Sequence, residues 1–483
     1  MKRPMTPSLQ KASQHRFIAS AATAVFTFFL ASLLTACSGS GSTSSTGSTT
    51  TTPATTSLVV NMGDSPADWM LGFSMNVTSM SLTGSNGSTT VVSTSTPMEM
   101  MHLMGTMQPL SMISAPQGTY TGASVTIGSA TVMYMDPTTK AAVQTTISGP
   151  ITTSVSFSTP ITVGSTPMAM SFDLNLASSV TADSNGNLSM KPVFNVSSGT
   201  EGSGSALDTA DGGVQQMMGS VSSVSGSSFV MTSMQAAQNF TFATNSSTEF
   251  EGTSMSSMAS GMLAIVDAAL QSDGTMLATK VQSMMGSGGV MGGGIITAVA
   301  GQPLTSLSMV MQNGTGTGMM SSYFAEGATV DLSSSTTYQI DEDNMDMSGL
   351  PFSPVFDANN IYAGQSVISV SSGGMMSSSG MMGGSSMAGT LTASTLELQP
   401  QGESGTVATT ITSGSTSSFT LTLPADSAFA TMTGATTITV YQQSGTTISS
   451  GSSIASGSTV DVFGLLFFDG GQWKMVASQI SAN

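Results

Sequence analysis

Short runs in which apolar and polar residues alternate recur along most of the chain. In FSMNVTSMSL (73–82), Phe73, Met75 and Val77 alternate with small polar residues. The same period of two returns at 119–135, 153–159, 169–176 and 436–443. This period is typical of half-buried strands. Because no stretch of 12 or more residues carries a helical apolar stripe, we predict an all-β fold, with many short strands arranged in sandwiches or barrels.

The first 36 residues are predicted to be a secretory signal. A basic start precedes the apolar run FIASAATAVFTFFLASLLTA, which ends in small residues. The run leads into Leu34-Thr35-Ala36-Cys37, which resembles the bacterial lipobox. In that motif the chain is cut before the cysteine, which carries the acyl chains. Cys37 is the only cysteine of the chain, so we predict that it is lipidated and anchors the protein to a membrane.

Residues 37–56 are rich in Ser, Thr and Gly and are predicted to form a flexible tether. Loss of the signal removes four basic residues and no acid, which changes the formal charge from −17 to −21. Nucleic-acid binding needs a basic surface, so no nucleic-acid partner is expected. The lipidated cysteine is followed by Ser38 rather than by the Asp that commonly retains lipoproteins at the inner membrane. We therefore expect the outer membrane.

Four segments between residues 57 and 197 resemble, in order, the landmarks of one family of bacterial lipoproteins. The first is SLVVNMGDSPADWMLGFSMNVTSMSL, whose Asp64, Pro66 and Asp68 are in register with the family's turn. APQGTYTGASVTIGSA, MSFDLNLASSV and KPVFNV follow. The family is domain of unknown function 4382; its usual Thr before Asp64 is Gly here, and its closing Arg is Lys191. The resemblance implies that residues 57–197 form a β-sandwich, immunoglobulin-like or similar, and it supplies no activity.

Beyond a linker at 198–213, a second pattern occurs three times. The first copy contains GSVSSVSGSSFVMT, NFTFATNSSTEFEG and GMLAIVDAALQSDGTMLATKVQSM. It resembles domain of unknown function 5666, and the resemblance extends over about 214–482. Since closure removes sheet edges, we predict β-barrel-like repeats at 214–285, at 286–401 with a Gly/Ser/Met insertion at 373–388, and at 402–483. Four glycines of the first copy are predicted to allow turns with positive φ: Gly219, Gly226, Gly261 and Gly274.

Methionine is unusually abundant along the whole chain, with 41 residues, and some of them form clusters. PMEMMHLMGTM (97–107) combines thioethers with an imidazole, and these soft ligands suit Cu(I). The copper hypothesis uses the following residues: Met100, His102, Met104, Met375, Met376, Met381 and Met382. The other interpretation of 97–107 is a core strand in which Met fills the place of Leu. Alternation turns Met101 away from Met100, and the first family aligns this stretch with an apolar strand, so we favour the core strand there.

The sequence carries no recognisable catalytic motif. After cleavage it retains one histidine and no arginine, and it has no G-x-S-x-G elbow and no phosphate-binding loop. We therefore predict no catalytic residue and no resident cofactor. DEDNMD (341–346) places Asp341, Asp343 and Asp346 together as calcium candidates, although the Gly and the terminal Glu of an EF-hand loop are missing.

Taken together, these features predict a lipid-anchored protein of the cell envelope with a non-catalytic structural or ligand-binding role. Its expected partners are the membrane, through Cys37, and an envelope protein or a polysaccharide. The alternative is a periplasmic or surface protein that binds copper or buffers oxidants through reversible methionine oxidation.

Overall fold

The structure, a computed structural model, describes residues 53–482 except for 66, 102–106, 184–185, 201–211, 235, 237, 286–289, 302, 316–325, 343–344, 372–386, 414–415 and 449–453. The described residues are almost entirely in strands, which confirms the predicted all-β class. The predicted signal and most of the predicted tether lie outside them. These predicted site residues also lie outside: Cys37, His102, Met104, Asp343, Met375, Met376, Met381 and Met382.

Residues 55–200 form two facing sheets, which we call the sandwich. Its elements are β1 (Thr55–Ser65), β2 (Met70–Gly84), β3 (Gly87–Val92), β4 (Thr96–Glu99), β5 (Met107–Pro116), β6 (Gly118–Met135), β7 (Ala142–Val163), β8 (Met168–Asn175), α1 (Leu176–Ser179), β9 (Val180–Ala182), β10 (Leu188–Met190) and β11 (Phe194–Thr200). One sheet has the order β11-β8-β1-β5, and the other has the order β3-β2-β6-β7 with β4 beside β2. β9 and β10 form a separate small sheet.

The alternation seen in the sequence produces the core of the sandwich. On β2, Phe73, Met75 and Val77 are buried, while the polar residues between them keep part of their surface exposed. These side chains pack in one cluster with Met170 and Phe172 of β8 in the opposite sheet. β1 is central to that sheet, because it pairs parallel with β8 and antiparallel with β5.

Barrel 1 is the first of three similar units. Its strands are β12 (Val214–Ser225), β13 (Ser228–Ser233), β14 (Asn239–Ala243), β15 (Glu249–Glu251), β16 (Leu263–Leu270) and β17 (Met276–Met285). The order β14-β13-β12-β16-β17 closes into a ring, because β14 also pairs with β17. Phe229 and Phe242 stack inside it with ring centroids 5.4 Å apart.

Barrel 2 repeats this arrangement with an interrupted last strand. Its strands are β18 (Val290–Gly301), β19 (Leu304–Thr315), β20 (Glu326–Asp331), β21 (Thr337–Ile340), β22 (Ser366–Ser371), β23 (Met387–Thr392) and β24 (Thr395–Leu398). β23 pairs with β20, and β24 pairs with β22. Since β24 follows β23 almost directly in the chain, the two together complete the ring.

Barrel 3 closes fully and carries the longer of the two described helices. Its elements are β25 (Gln401–Ser413), β26 (Thr416–Thr422), α2 (Ala428–Thr433), β27 (Thr437–Ile448), β28 (Thr459–Asp469) and β29 (Gln472–Ala482). The strands close in the order β25-β26-β27-β29-β28. α2 was not predicted, although its start and end are marked in the sequence. The Ser427 side chain accepts a hydrogen bond from Ala430 N–H, and Gly434 ends the helix at φ 74°.

The first strand of each barrel contains a glycine at the same place, two residues before a buried aliphatic side chain. These glycines are Gly219, Gly294 and Gly405. A Cβ atom on them would lie 2.5, 1.8 and 2.5 Å from a carbonyl oxygen of the second strand, so only glycine permits the close approach. The prediction that Gly219 serves a turn is therefore wrong, because it lies inside β12. The other three predicted turn glycines do have positive φ.

The sandwich and the three barrels pack into one compact unit. Val59 of the sandwich packs within the core cluster of barrel 1, and Phe467 of barrel 3 packs within that of barrel 2. Leu71, Val310 and Ala428 join the sandwich, barrel 2 and barrel 3 in a further apolar cluster. Among the described residues, no helix has the length and apolar character needed to cross a membrane.

Candidate ligand-binding cavity between the four units

The sandwich and all three barrels surround a cavity of about 100 Å³. The sandwich contributes Asp68 and Gln108, and barrel 1 contributes the start of β12. Barrel 2 contributes Gln312 and the first half of β22. Barrel 3 contributes Glu403 and α2. The cavity thus exists only where the units meet, and no single unit encloses it.

Glutamine side chains are concentrated around this cavity and tie the units together. Six glutamines line it: Gln108, Gln215, Gln216, Gln312, Gln399 and Gln401. The Gln312 amide donates from barrel 2 to the Leu71 carbonyl of the sandwich at 2.9 Å. In barrel 3, Gln401 accepts from Ser366 N–H of barrel 2 at 2.7 Å. Each of these bonds satisfies a backbone group that the packing of two units would otherwise leave buried without a partner.

Gln108 lines the cavity and carries an acceptor that no described protein group uses. Its side chain is only 3% exposed. Its amide nitrogen donates weakly, at 3.4 Å, to the carbonyls of Gln215 and Gln216. Its Oε1 atom is buried and has no hydrogen-bond partner. Buried polar atoms in folded proteins are nearly always paired, so this atom marks a place where a donor is needed.

Two carboxyl groups add acidity to the same lining. Glu403 keeps part of its surface uncovered, and it lines the cavity. Burial and the nearby Asp68 raise its pKa to about 8, against the opposing effect of the Gln401 amide, which donates to Glu403 Oε1 at 2.9 Å. Burial, followed by the charges of Asp461 and Asp426, raises the pKa of Asp68 to about 6. None of the described residues that line the cavity is Lys, Arg or His.

A third acid of raised pKa, Asp64, lies in β1. Burial is the main cause that raises its pKa well above the ordinary value, and the charges of Glu99 and Asp173 act in the same direction. Neither carboxyl oxygen of Asp64 has a hydrogen-bond partner. Asp64 and Asp68 both belong to the turn motif that carries the first family resemblance, and the structure shows that both carboxyl groups are in largely buried surroundings.

The calcium candidates within the described part face different neighbours. Asp341 is buried in barrel 2, where its charge raises the pKa of Glu397. It also lines a small pocket with Lys280 of barrel 1. Asp346 is exposed, and its carboxylate accepts from Ser348 N–H at 2.8 Å. No group of three or more acids, histidines or cysteines suited to a metal occurs among the described residues. The calcium assignment stays a prediction.

Met100 is the one described member of the copper hypothesis. It follows directly after β4, it is fully buried, and it packs in the core of the sandwich. Its neighbours Met98 and Met101 are buried in the same cluster. The expected alternation ends before this point, because β4 stops at Glu99 and Met100 N–H donates to the Phe73 carbonyl. In the described part of the chain, Met100 therefore packs in the hydrophobic core.

The sequence carries a signal for the cavity in the inward-facing positions of β25. Gln401 and Glu403 occupy the same phase of β25 as Val407, which is buried in the interior of barrel 3. Polar residues in the inward phase of a strand are unusual, because an unpaired buried polar group is costly. Such residues therefore point to a polar site, even though their partners lie in other units.

The chain is thus all-β, and its sandwich and three small barrels together line a cavity that has both polar and apolar walls. Residues 218–282, which make up most of barrel 1, match the family described as Domain of unknown function (DUF5666). This confirms the second family resemblance for that stretch. No curated protein matches the chain.

Proposed function

We propose that the protein is a lipid-anchored component of the cell envelope with a non-catalytic binding role, and that the cavity between its units is the binding site. The observation that carries the proposal is that Gln108, whose buried Oε1 atom has no hydrogen-bond partner, lines the cavity together with two acids of raised pKa. A cavity of about 100 Å³ has room for several waters or for a small molecule. The lining combines orienting polar groups with apolar side chains, which is typical of ligand sites.

Native mass spectrometry of the full chain, purified from its own envelope, tests the binding role. We expect a small molecule that dissociates on mild activation. Ser366→Leu adds bulk to the cavity wall and is expected to remove that species. Its thermal unfolding, measured in parallel, shows whether the fold is retained. Wild-type protein that carries no ligand, and that gains none from an envelope extract, would contradict the proposal.

The anchoring part of the proposal rests on the lipobox-like residues before Cys37, and on the first family resemblance over 57–197. Acyl chains on Cys37, palmitate among them, would hold the chain at the outer membrane after signal cleavage. Several acyl chains on one residue suffice for stable anchoring, whereas one chain is marginal. Cys37→Ser is expected to release the protein from the membrane fraction. Retention of this variant in the membrane would contradict the proposal.

The copper or redox-buffering alternative gains no support from the described residues. Its one described member, Met100, is buried in the sandwich core. The remaining residues of that hypothesis lie outside the described part, so its test is a metal titration of the full chain, given below.

A further inference from the structure

The chemistry of the cavity wall selects the kind of ligand. The described wall offers carboxyl groups from Asp68 and Glu403 and the unused Gln108 Oε1, all of which accept hydrogen bonds. It offers no basic side chain among the described residues. A ligand that only accepts hydrogen bonds would leave Gln108 Oε1 unpaired, and an anion would meet two acids. The wall therefore favours a positively charged donor of hydrogen bonds.

The apolar part of the wall separates an organic cation from a bare metal ion. Leu71, Met218, Ile368, Phe429 and Phe463 line the same cavity. A hard cation such as Ca²⁺ takes six to eight oxygen ligands, carboxylates among them, and no group of three or more acids, histidines or cysteines suited to a metal occurs among the described residues. Aliphatic and aromatic side chains instead suit an alkyl group, and an aromatic face attracts an ammonium ion.

The cavity volume limits the size of this ligand. An apolar cavity of about 150 Å³ holds benzene, which has six carbon atoms. By proportion, about 100 Å³ accommodates about four non-hydrogen atoms. We propose, resting on the proposed binding role of the cavity, that its ligand is a small organic ammonium ion. The N–H groups of this ion would be held by Gln108 Oε1 and by the carboxyl groups of Asp68 and Glu403.

The acids of the wall give this binding a definite pH dependence. Asp68 faces Asp461, Asp426 and the Ser404 hydroxyl, and Glu403 faces Asp68 and the Gln401 amide. Both acids lose their protons as the pH rises from 5 to 8.5, while an alkylammonium ion keeps its charge. Affinity should therefore increase with pH over this range, and binding at pH 7 should release protons from Glu403.

Isothermal titration of the full chain in detergent with n-propylammonium tests the inference. This ion has four non-hydrogen atoms, and its matched neutral control is 1-propanol. We expect a dissociation constant of about 50 µM to 1 mM at pH 8, with 1-propanol at least tenfold weaker. Glu403→Gln and Asp68→Asn should each weaken n-propylammonium at least tenfold. Glu397→Gln is the control, because Glu397 is also a largely buried acid of raised pKa but does not line the cavity.

The possible results separate this inference from the proposed function. Equal binding of n-propylammonium and 1-propanol, abolished by Ser366→Leu, would keep the cavity as a binding site and overturn the ammonium assignment. Binding of Ca²⁺ or Cu(I) at this site, with no binding of n-propylammonium, would overturn the assignment as well. Failure of every probe, together with no co-purified ligand, would overturn both. Both the binding role and the ammonium assignment would be supported if n-propylammonium binds more tightly than 1-propanol, and if Glu403→Gln and Asp68→Asn weaken this binding while Glu397→Gln does not.

Discussion

On one face of strand β25, the first half carries polar side chains and the second half carries an apolar side chain. Gln401, Glu403, Gly405 and Val407 alternate along the strand, and the pairing with β28 runs without a register shift through residue 406. The first two residues line the cavity, whereas Val407 is buried in the closed interior of barrel 3. Alternation thus determines that a position faces inward. Whether the side chain at that position must be apolar depends on its surroundings, which are either the barrel interior or the cavity between units.

The physical difference lies in what fills the space. The barrel interior is filled by side chains such as Phe419, Leu421 and Trp473, and tight packing of apolar groups stabilises it. The cavity is walled by units that meet imperfectly, so polar groups there find only some of their partners. An acid in such a place resists ionisation, which is the cause of the raised pKa of Glu403.

The largest effect is expected from emptying the barrel interior. Phe419 is 2% exposed and belongs to the core of barrel 3. Phe419→Ala should lower the free energy of unfolding by about 3–5 kcal/mol, because it removes apolar contacts and leaves a cavity. Thr422→Ala, at an exposed position of the same strand, should change it by less than about 0.5 kcal/mol. Denaturant unfolding measures both, and similar losses in the two variants would contradict a packed interior.

The acid half of the strand predicts a loss of stability as the pH rises. The folded state holds the Glu403 proton up to a pKa of about 8, whereas the unfolded chain releases it near the ordinary glutamate pKa of 4.5. The folded state therefore binds more protons between these values, and stability falls with increasing pH. From pH 5 to pH 8, this group alone contributes a loss of about 2–4 kcal/mol.

Glu403→Gln isolates that contribution. The variant keeps the shape of the side chain and cannot ionise. Between pH 5 and pH 8, its free energy of unfolding should therefore fall by about 2–4 kcal/mol less than that of the wild type. A smaller decline should remain, since Asp68 and Glu397 also have raised pKa values. Glu342→Gln, at an exposed position, serves as the control. Parallel stability profiles for Glu403→Gln and the wild type would show that Glu403 ionises freely in the folded protein.

Much of the fold followed from local pattern, and the cavity did not. The period of two in 73–82 predicted β2 and its buried face, because burial on one side of a sheet requires alternation. Gly226 and Gly274 were predicted as turn residues of the first repeat, and both have positive φ. By contrast, Gln108, Gln312 and Glu403 come together only through the packing of different units. The local sequence pattern does not predict contacts between different units. Its one indication is a polar residue at a strand position that faces inward.

A moderate loss of stability is expected for a substitution of Gly405, which lies on β25 between the polar residues and Val407. A Cβ atom on Gly405 would lie 2.5 Å from the Thr422 carbonyl oxygen and 3.0 Å from the Leu421 side chain. Gly405→Ala should therefore force β25 and β26 apart and cost about 1–3 kcal/mol. Gly164→Ala is the matched control, since a Cβ atom there meets nothing within 4 Å. Equal stability of the two variants would mean that the barrel wall yields without cost.

The smallest loss of stability is expected for a substitution of Met100. This residue tests whether a methionine of 97–107 only packs in the core or also binds copper. Met100 is fully buried in the sandwich core, so Met100→Leu conserves its volume and should cost less than about 1.5 kcal/mol. If packing is its whole role, the Cu(I) affinity of the full chain, titrated against a competing chelator, should not change. His102→Ala, which removes the last imidazole of the cleaved chain, is measured beside it. A tenfold weaker Cu(I) affinity in Met100→Leu would move this residue from the core to a metal site, because a leucine fills the same space but cannot donate a thioether.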